Sequence, residues 1–347
     1  MQLRVREVER DESLGIMKKD LSVDGFFSFE SPSKATKFIK PDSFLEANSK
    51  VNEIVKRIDE GVLDSLEEGA SSRMAREIGL NFKKGSLNLV IFNLIVDRVP
   101  SKNKISTLAH HLYASSQATI FLPTVRTALF KENNKITEKR VQQYLEMMRA
   151  IIEEIKAVGN SKVLIGTVPL LAPKYSRSIV NFYHEYEINA FSVDGNTSDL
   201  LTHEADFRSI LSSINSKIPL SETFIHACNL GYPQFEQEET RADDFLSIFA
   251  YIDVLGGTFK MRGVPMGGKP RLKEFSRFHY SYKILPPSTY HPNELKNINQ
   301  CEQLRETHAV QELVGEERIE KYIQQKSKVD EIAISRLKSI AGKIKVE

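Results

Sequence analysis

Val163-Leu-Ile-Gly-Thr-Val168, an amphipathic stretch over 175–186, and then Ala190-Phe-Ser-Val193 form the passage on which the fold reading turns. Each flank is a short, continuously apolar run, the pattern of a strand buried on both faces rather than half exposed to water. The span between them suits a right-handed crossover helix that returns the chain to a parallel neighbour. Outward from there the same texture recurs, with strands expected at 87–96, 118–122, 223–227 and 249–255. A helix is expected at 138–158, where Val141, Tyr144, Leu145, Met148, Ile151, Ile152 and Ile155 share a face and Thr137 stands ready to cap it. Repeated strand-helix units predict an α/β protein, and the expected form is a (β/α)8 TIM-type barrel. No G-x-G-x-x-G or G-x-x-x-x-G-K-[ST] follows a strand, which turns the reading away from nucleotide-cofactor folds.

The expected organisation is an irregular, partly helical N-terminal segment over 1–85, a main barrel over 86–280, a small subdomain over 281–325, and a basic C-terminal helix over 326–347. Within the first segment a helix is expected over 43–66, because Leu45, Val51, Ile54, Val55, Ile58 and Val62 approximate one stripe. A length of 347 residues with 41% hydrophobic residues is enough for one large core, so disorder is not expected. Lys+Arg of 48 against Asp+Glu of 46 leaves a net charge of +2, so a nucleic-acid partner must be met by a local patch. Cys228 and Cys301 stand far apart, without a C-x-x-C partner, which argues against a disulfide framework and fits a reducing cytoplasm. The charged opening residues and the absence of a long apolar run predict neither a signal peptide nor a membrane span.

In the last third, Ser288-Thr-Tyr-His-Pro-Asn-Glu-Leu295, followed by His308 and then Ile319 and Ile323, resembles the C-terminal segment of tRNA-guanine transglycosylases. In that family the similar text follows zinc-binding cysteines and a histidine completes the metal site. Here Tyr282, Ile284 and Pro287 stand at the cysteine positions, so no cofactor is expected and zinc binding is not carried over. Upstream, the succession Val163–Val168, Ala190-Phe-Ser-Val-Asp-Gly195, Ile225-His-Ala-Cys-Asn-Leu-Gly-Tyr-Pro233 and Ile248-Phe-Ala-Tyr-Ile-Asp253 is similar in order to the barrel strands of the family. The resemblance covers about 106–325 and suggests a divergent paralogue, such as the branch that inserts 7-deazaguanine into DNA.

What the resemblance implies is base exchange: a carboxylate attacks the ribose anomeric carbon, the old base leaves, and a 7-deazaguanine enters. The family's nucleophile maps onto Asp253, with Asp97 as acid/base candidate and Asp194 as the alternative carboxylate. The family's D-S-G-G-F-Q and Q-G-G loops are absent, and Pro169-Leu-Leu171 stands in place of the second. Base contacts would then fall to Gly195, Asn196, Asn229 and Gly231. From the residues themselves, Lys260, Arg262, Lys269, Arg271, Lys273 and Arg277, interleaved with Phe259, Phe275, Phe278, Tyr280 and Tyr282, form a basic, aromatic strip suited to DNA or tRNA. The exit helix over 326–345 could extend it. Expected partners are therefore nucleic acid and a 7-deazaguanine-type base, with a homodimer or heterodimer open. Two rivals stand beside this: a catalytically inactive barrel that binds nucleic acid or a catalytic partner, and an unrelated barrel enzyme for a phosphorylated metabolite with its phosphate on the loop 256–268.

Overall fold

The chain begins as an antiparallel sheet of β1 (Leu3–Asp11), β2 (Ile16–Val23) and β3 (Phe27–Ser31), paired in that order. The computed structural model describes residues 1–11, 13–24, 26–37, 49–231, 238–259, 272–286, 288–316, 318–342 and 344. Parallel strands follow: β4 (Ser33–Lys34), β5 (Val51–Asp59), β6 (Leu87–Ile95), β7 (Thr119–Phe121), β8 (Thr124–Val125), β9 (Val163–Pro169), β10 (Ala190–Asp194) and β11 (Phe224–Cys228). The short β12 (Glu239–Arg241) comes next, then β13 (Val254–Leu255), β14 (Leu272–Ser276) and β15 (Ser281–Leu285).

Six strands make one curled parallel sheet in the order β4-β13-β11-β10-β9-β7, and three more make a parallel sheet β5-β6-β8. A parallel bridge between Thr36 and Asn52 links the two at β4 and β5. Helices Lys102–Ser115, Glu138–Val158, Pro173–Glu185 and Glu204–Asn215 fall between successive strands, so the molecule is mixed α/β, as the alternating texture predicts. Thr137 caps Glu138–Val158, its hydroxyl accepting from Arg140 N at 3.4 Å.

The apolar side chains divide between two faces of the parallel strands. Ala35, Val51, Phe121, Ile165, Phe224 and Val254 pack together on the inner side, with Leu21 and Phe29 of the N-terminal sheet lying across them. The outer side packs on the helices through residues such as Ile54, Ile58, Phe92, Leu94, Phe191 and Ile225. Each large apolar side chain so buried contributes about 1.5–3 kcal/mol.

Two sequence expectations are corrected. Val51–Asp59 is a strand, in register with β6 from Val51↔Leu87 to Asp59↔Ile95, and helix begins only at Glu60; the rest of the expected 43–66 helix before 49 lies outside the described residues. The spacing of Val51, Ile54, Val55 and Ile58 mimics a helical stripe because this strand is apolar on both faces: Val51 and Val55 turn inward, Ile54 and Ile58 outward. Similarly, the expected strand 249–255 is strand only at Val254–Leu255, since Asp243–Leu246 and Ser247–Phe249 are helical turns. Asp253 thus precedes its strand instead of closing it.

That position explains its surroundings. Asp253 is 1% exposed and its carboxylate is 2.9 Å from Lys19 Nζ, itself wholly buried. Ser31 Oγ donates to it at 3.1 Å and Ile225 N at 2.7 Å, while Lys19 Nζ also donates to Thr223 O. The pair fastens the N-terminal sheet across the starts of β11 and β13. Removing one partner strands a charge in the interior: Lys19→Met should lower the unfolding free energy by roughly 3–5 kcal/mol. Adding Asp253→Asn should recover part of that loss in urea denaturation, because the unpaired ion is then gone. A Lys19→Met protein as stable as the parent would show that the pair contributes nothing.

Candidate active site

In parallel α/β folds the ends of strands, where backbone loops open, are where ligands meet side chains. Strands β10, β11 and β13 end at Asp194, Cys228 and Leu255. Asn229, at positive φ, ties the loops beyond them: its N donates to Gly257 O, its Nδ2 to Asp194 Oδ1 at 3.0 Å, and its Oδ1 accepts from Phe259 N at 3.0 Å. Asp194 is fully buried and also accepts from Asn196 N at 3.0 Å. These two expected site residues are brought together, in a bracket that holds the strand ends.

Gly195 and Gly231 are packed as well. A Cβ on Gly231 would stand 2.0 Å from Thr197 O, and one on Gly195 2.7 Å from Leu230 Cδ2, so both permit close backbone approach. The amide of Asn196 is bonded to Thr127 Oγ1. Asp97, after β6, has a side chain 78% exposed, 3.7 Å from Arg126. Asp253, expected as the nucleophile, is walled in with Lys19; burial raises its pKa, and Lys19, the Ile225 N–H and Ser31 oppose the rise.

A different carboxylate occupies the mouth. Glu53 lies on the inner side of β5, with Val51 and Val55, and its backbone N donates to Thr36 O. It is 5% exposed; Oε2 accepts from Gly257 N at 2.8 Å, and Oε1 is 3.3 Å from His226 Nε2. His226, on β11, is fully buried, shares a 2.8 Å hydrogen bond between Nδ1 and Ser192 Oγ, and meets the Phe121 ring edge to face at 5.1 Å. The acid and the imidazole meet over Gly256, where a Cβ would lie 2.6 Å from both Glu53 Oε1 and His226 Nε2. Only glycine leaves that space to the two functional groups.

Burial alone would raise the Glu53 pKa, but His226, Lys34 and the Gly257 N–H together hold it below its ordinary value, so the group is ionised at neutral pH. Lys34 Nζ, buried behind it, donates to Leu255 O at 3.1 Å and Gly256 O at 2.7 Å. Burial pushes its pKa down to about 8, against the pull of Glu53 and Asp244.

Glu53 and Lys34 open into a cavity of about 410 Å³ between these strand ends and the helix Pro292–Leu313. Its wall includes Lys37, Val55, Phe259, Lys273, Tyr282 and Lys296. Of the expected basic strip, Lys260, Arg262, Lys269 and Arg271 lie outside the described residues. Lys273 reaches the cavity, and Arg277 pairs with Glu302 at 3.5 Å beside the Phe278 ring. Phe275, Tyr280 and Tyr282 are buried in the core, a correction to their expected role as stacking platforms. The C-terminal helix, Glu331–Gly342, buries Ile334, Leu337 and Ile340, and its Lys338 pairs with Glu320.

His308 is exposed on the helix Pro292–Leu313, and among the described residues no three His, Cys, Asp or Glu side chains are grouped to hold a metal ion. Tyr282 donates to Asp244 Oδ2 at 2.8 Å and accepts from Gln303 Nε2 at 2.9 Å, a buried hydrogen-bond link. No described helix is long and apolar enough to cross a membrane. Comparison with protein-family models and with curated proteins finds no match for this chain.

Glu53 escaped the sequence reading because a helix assigned to 43–66 removed it from any strand. The available signal was the alternation of Val51, Glu53 and Val55 facing Leu87, Leu89 and Ile91.

Asp244 carries a pH dependence. Burial raises its pKa to about 7, with Tyr282, the Phe245 N–H and Lys34 opposing and Asp243 adding to the rise, and its Oδ1 has no hydrogen-bond partner among the described residues. A carboxyl with a raised folded pKa keeps its proton while the unfolded chain has lost it, so it costs stability increasingly as pH climbs from about 4 to about 7. Asp244→Asn, which still accepts from Tyr282, should therefore gain stability relative to the parent between pH 4 and pH 7 in denaturant titrations. A difference that stays flat across that range would mean Asp244 is ionised in the fold.

Proposed function

We propose that the chain is a (β/α)8-type barrel enzyme that transfers a pentosyl group, exchanging a guanine-type base for a 7-deazaguanine in nucleic acid, with Glu53 as the attacking carboxylate. The single observation that carries this is the placement of Glu53: held by Gly257 N, facing His226 over Gly256 just beyond the end of β13, and opening into a cavity. The ring is read from the bonding path. What supports an eight-position ring is that the bridge Thr36–Asn52 joins β4 to β5, that β6 pairs with β8, and that β7, just before β8 in sequence, pairs with β9. The base-exchange chemistry comes from the resemblance to tRNA-guanine transglycosylases, transferred from Asp253 to Glu53 because Asp253 is sealed against Lys19.

In this reading the bond from the ribose anomeric carbon to the outgoing base breaks as a bond to a Glu53 oxygen forms. The incoming base then displaces Glu53 and restores the free carboxylate. A nucleophile must be ionised, which the lowered pKa of Glu53 provides. The proton that leaves with the old base and arrives with the new one needs a second group, and His226, oriented by Ser192, is the candidate.

A second reading, an enzyme for a small phosphorylated metabolite, is favoured by the cavity volume of about 410 Å³, which suits a mononucleotide-sized ligand better than a polymer. Exchange of labelled guanine or 7-deazaguanine into DNA and tRNA separates them. The expected result is exchange by the parent protein, a loss of roughly a thousandfold or more in Glu53→Gln, and retention in Asp253→Asn under conditions where it stays folded. Full exchange in Glu53→Gln would remove Glu53 from the chemistry. Binding of nucleic acid with no exchange and no covalent adduct would leave a barrel that binds without catalysis.

A further inference from the structure

Beside Glu53, the same cavity is lined by groups of the opposite charge. Lys37, Lys273 and Lys296 line it, with Lys34 buried at the back, and Glu53 is the one carboxylate among its described lining residues. Pro292, Leu295, Lys296, Asn299, Gln300 and Gln303 line it from one face of the 22-residue helix Pro292–Leu313, so the helix borders the cavity along its flank. Lys37 and Lys296 are close enough for like-charge repulsion to act: desolvation lowers the Lys296 pKa, and the Lys37 charge lowers it further, with Glu53 opposing. Four lysines against one carboxylate leave the described lining with surplus positive charge, which a bound anion offsets.

The geometry points to Lys37 and Lys296 as the seat of a phosphate group, monoester or diester, on the ligand that this site takes. The inference deepens the proposed function and depends on it only for the claim that the other end of the ligand is turned toward Glu53. A phosphate is favoured over a carboxylate because the lining carries several lysines against one carboxylate, a surplus that suits an anion with three or more acceptor oxygens. Its source is either a free nucleotide or a nucleic-acid backbone.

Calorimetric titration of the full chain with inorganic phosphate, a nucleoside monophosphate and a short single-stranded oligonucleotide, at about 50 mM and about 200 mM salt, tests the seat. Lys37→Ala/Lys296→Ala should weaken whichever of these binds by about tenfold or more. Lys139→Ala, an exposed lysine on the helix Glu138–Val158, should leave binding unchanged. Monophosphate binding without oligonucleotide binding assigns the free ligand, and the reverse assigns the polymer. No binding by any of the three, or equal loss in Lys139→Ala, overturns the seat. Binding that depends on the lysines in a Glu53→Gln protein, together with absent base exchange in the parent, would retain the seat and reject the glycosyl-transfer reading.

Discussion

The contact on which the site depends is a pair of backbone hydrogen bonds. Thr36 N donates to Val51 O at 3.0 Å, and Glu53 N donates to Thr36 O at 2.9 Å. Together they lay β5 alongside the continuation of β4, which is itself paired to β13 through Val254↔Ser33 and Leu255↔Lys34. Without that junction the parallel array would have two open edges there, and Glu53 would have no reason to lie above Gly256. With it, side chains from four separate strands, Lys34, Glu53, Ser192 and His226, come within reach of one another although 192 residues separate Lys34 from His226. Period-two alternation then does the rest, placing Glu53 on the face already occupied by Val51 and Val55.

The strand β13 and its flanks hold two carboxylates in opposite conditions. Asp253, before the strand, is sealed by the N-terminal sheet and matched to Lys19, an arrangement whose effect is structural. Glu53, across from the end of the strand, is also almost wholly buried, but its neighbours are a histidine, a lysine and a glycine N–H around a cavity. Burial pushes both acids toward neutrality. What differs is the balance: the groups around Glu53 overcome that push and those around Asp253 do not. Residue type and strand proximity alone cannot separate these cases; the groups that surround each carboxylate do so.

Much of the fold was legible. The strands at 87–96, 163–168, 190–193 and 223–227 and the helix at 138–158 have structural counterparts within a residue or two, because continuous apolar runs and a capped, one-sided helix leave little competition among local structures. Two segments misled. Residues 51–59 are apolar on both faces at spacings that fit either period, and only the partner β6 decides between them. In 243–255 the apolar residues Phe245, Leu246, Ile248 and Phe249 are core residues on helical turns, which moved the apparent strand start ahead of Asp253. The site followed these errors: Asp194 and Asn229 were recognised as neighbours of the mouth, whereas Glu53 and His226 depend on long-range pairing that no local pattern encodes.

The bond between Lys19 and Asp253 spans 234 residues of chain. During synthesis the N-terminal sheet emerges first, yet its buried lysine has no counter-ion until the segment bearing Asp253 has left the ribosome. Until then that ammonium keeps its water, and the sheet cannot seat itself across the inner apolar cluster, since Phe224 and Val254 also arrive late. Final closure is therefore a late event of high contact order, and the chain's first strands are among the last to become native.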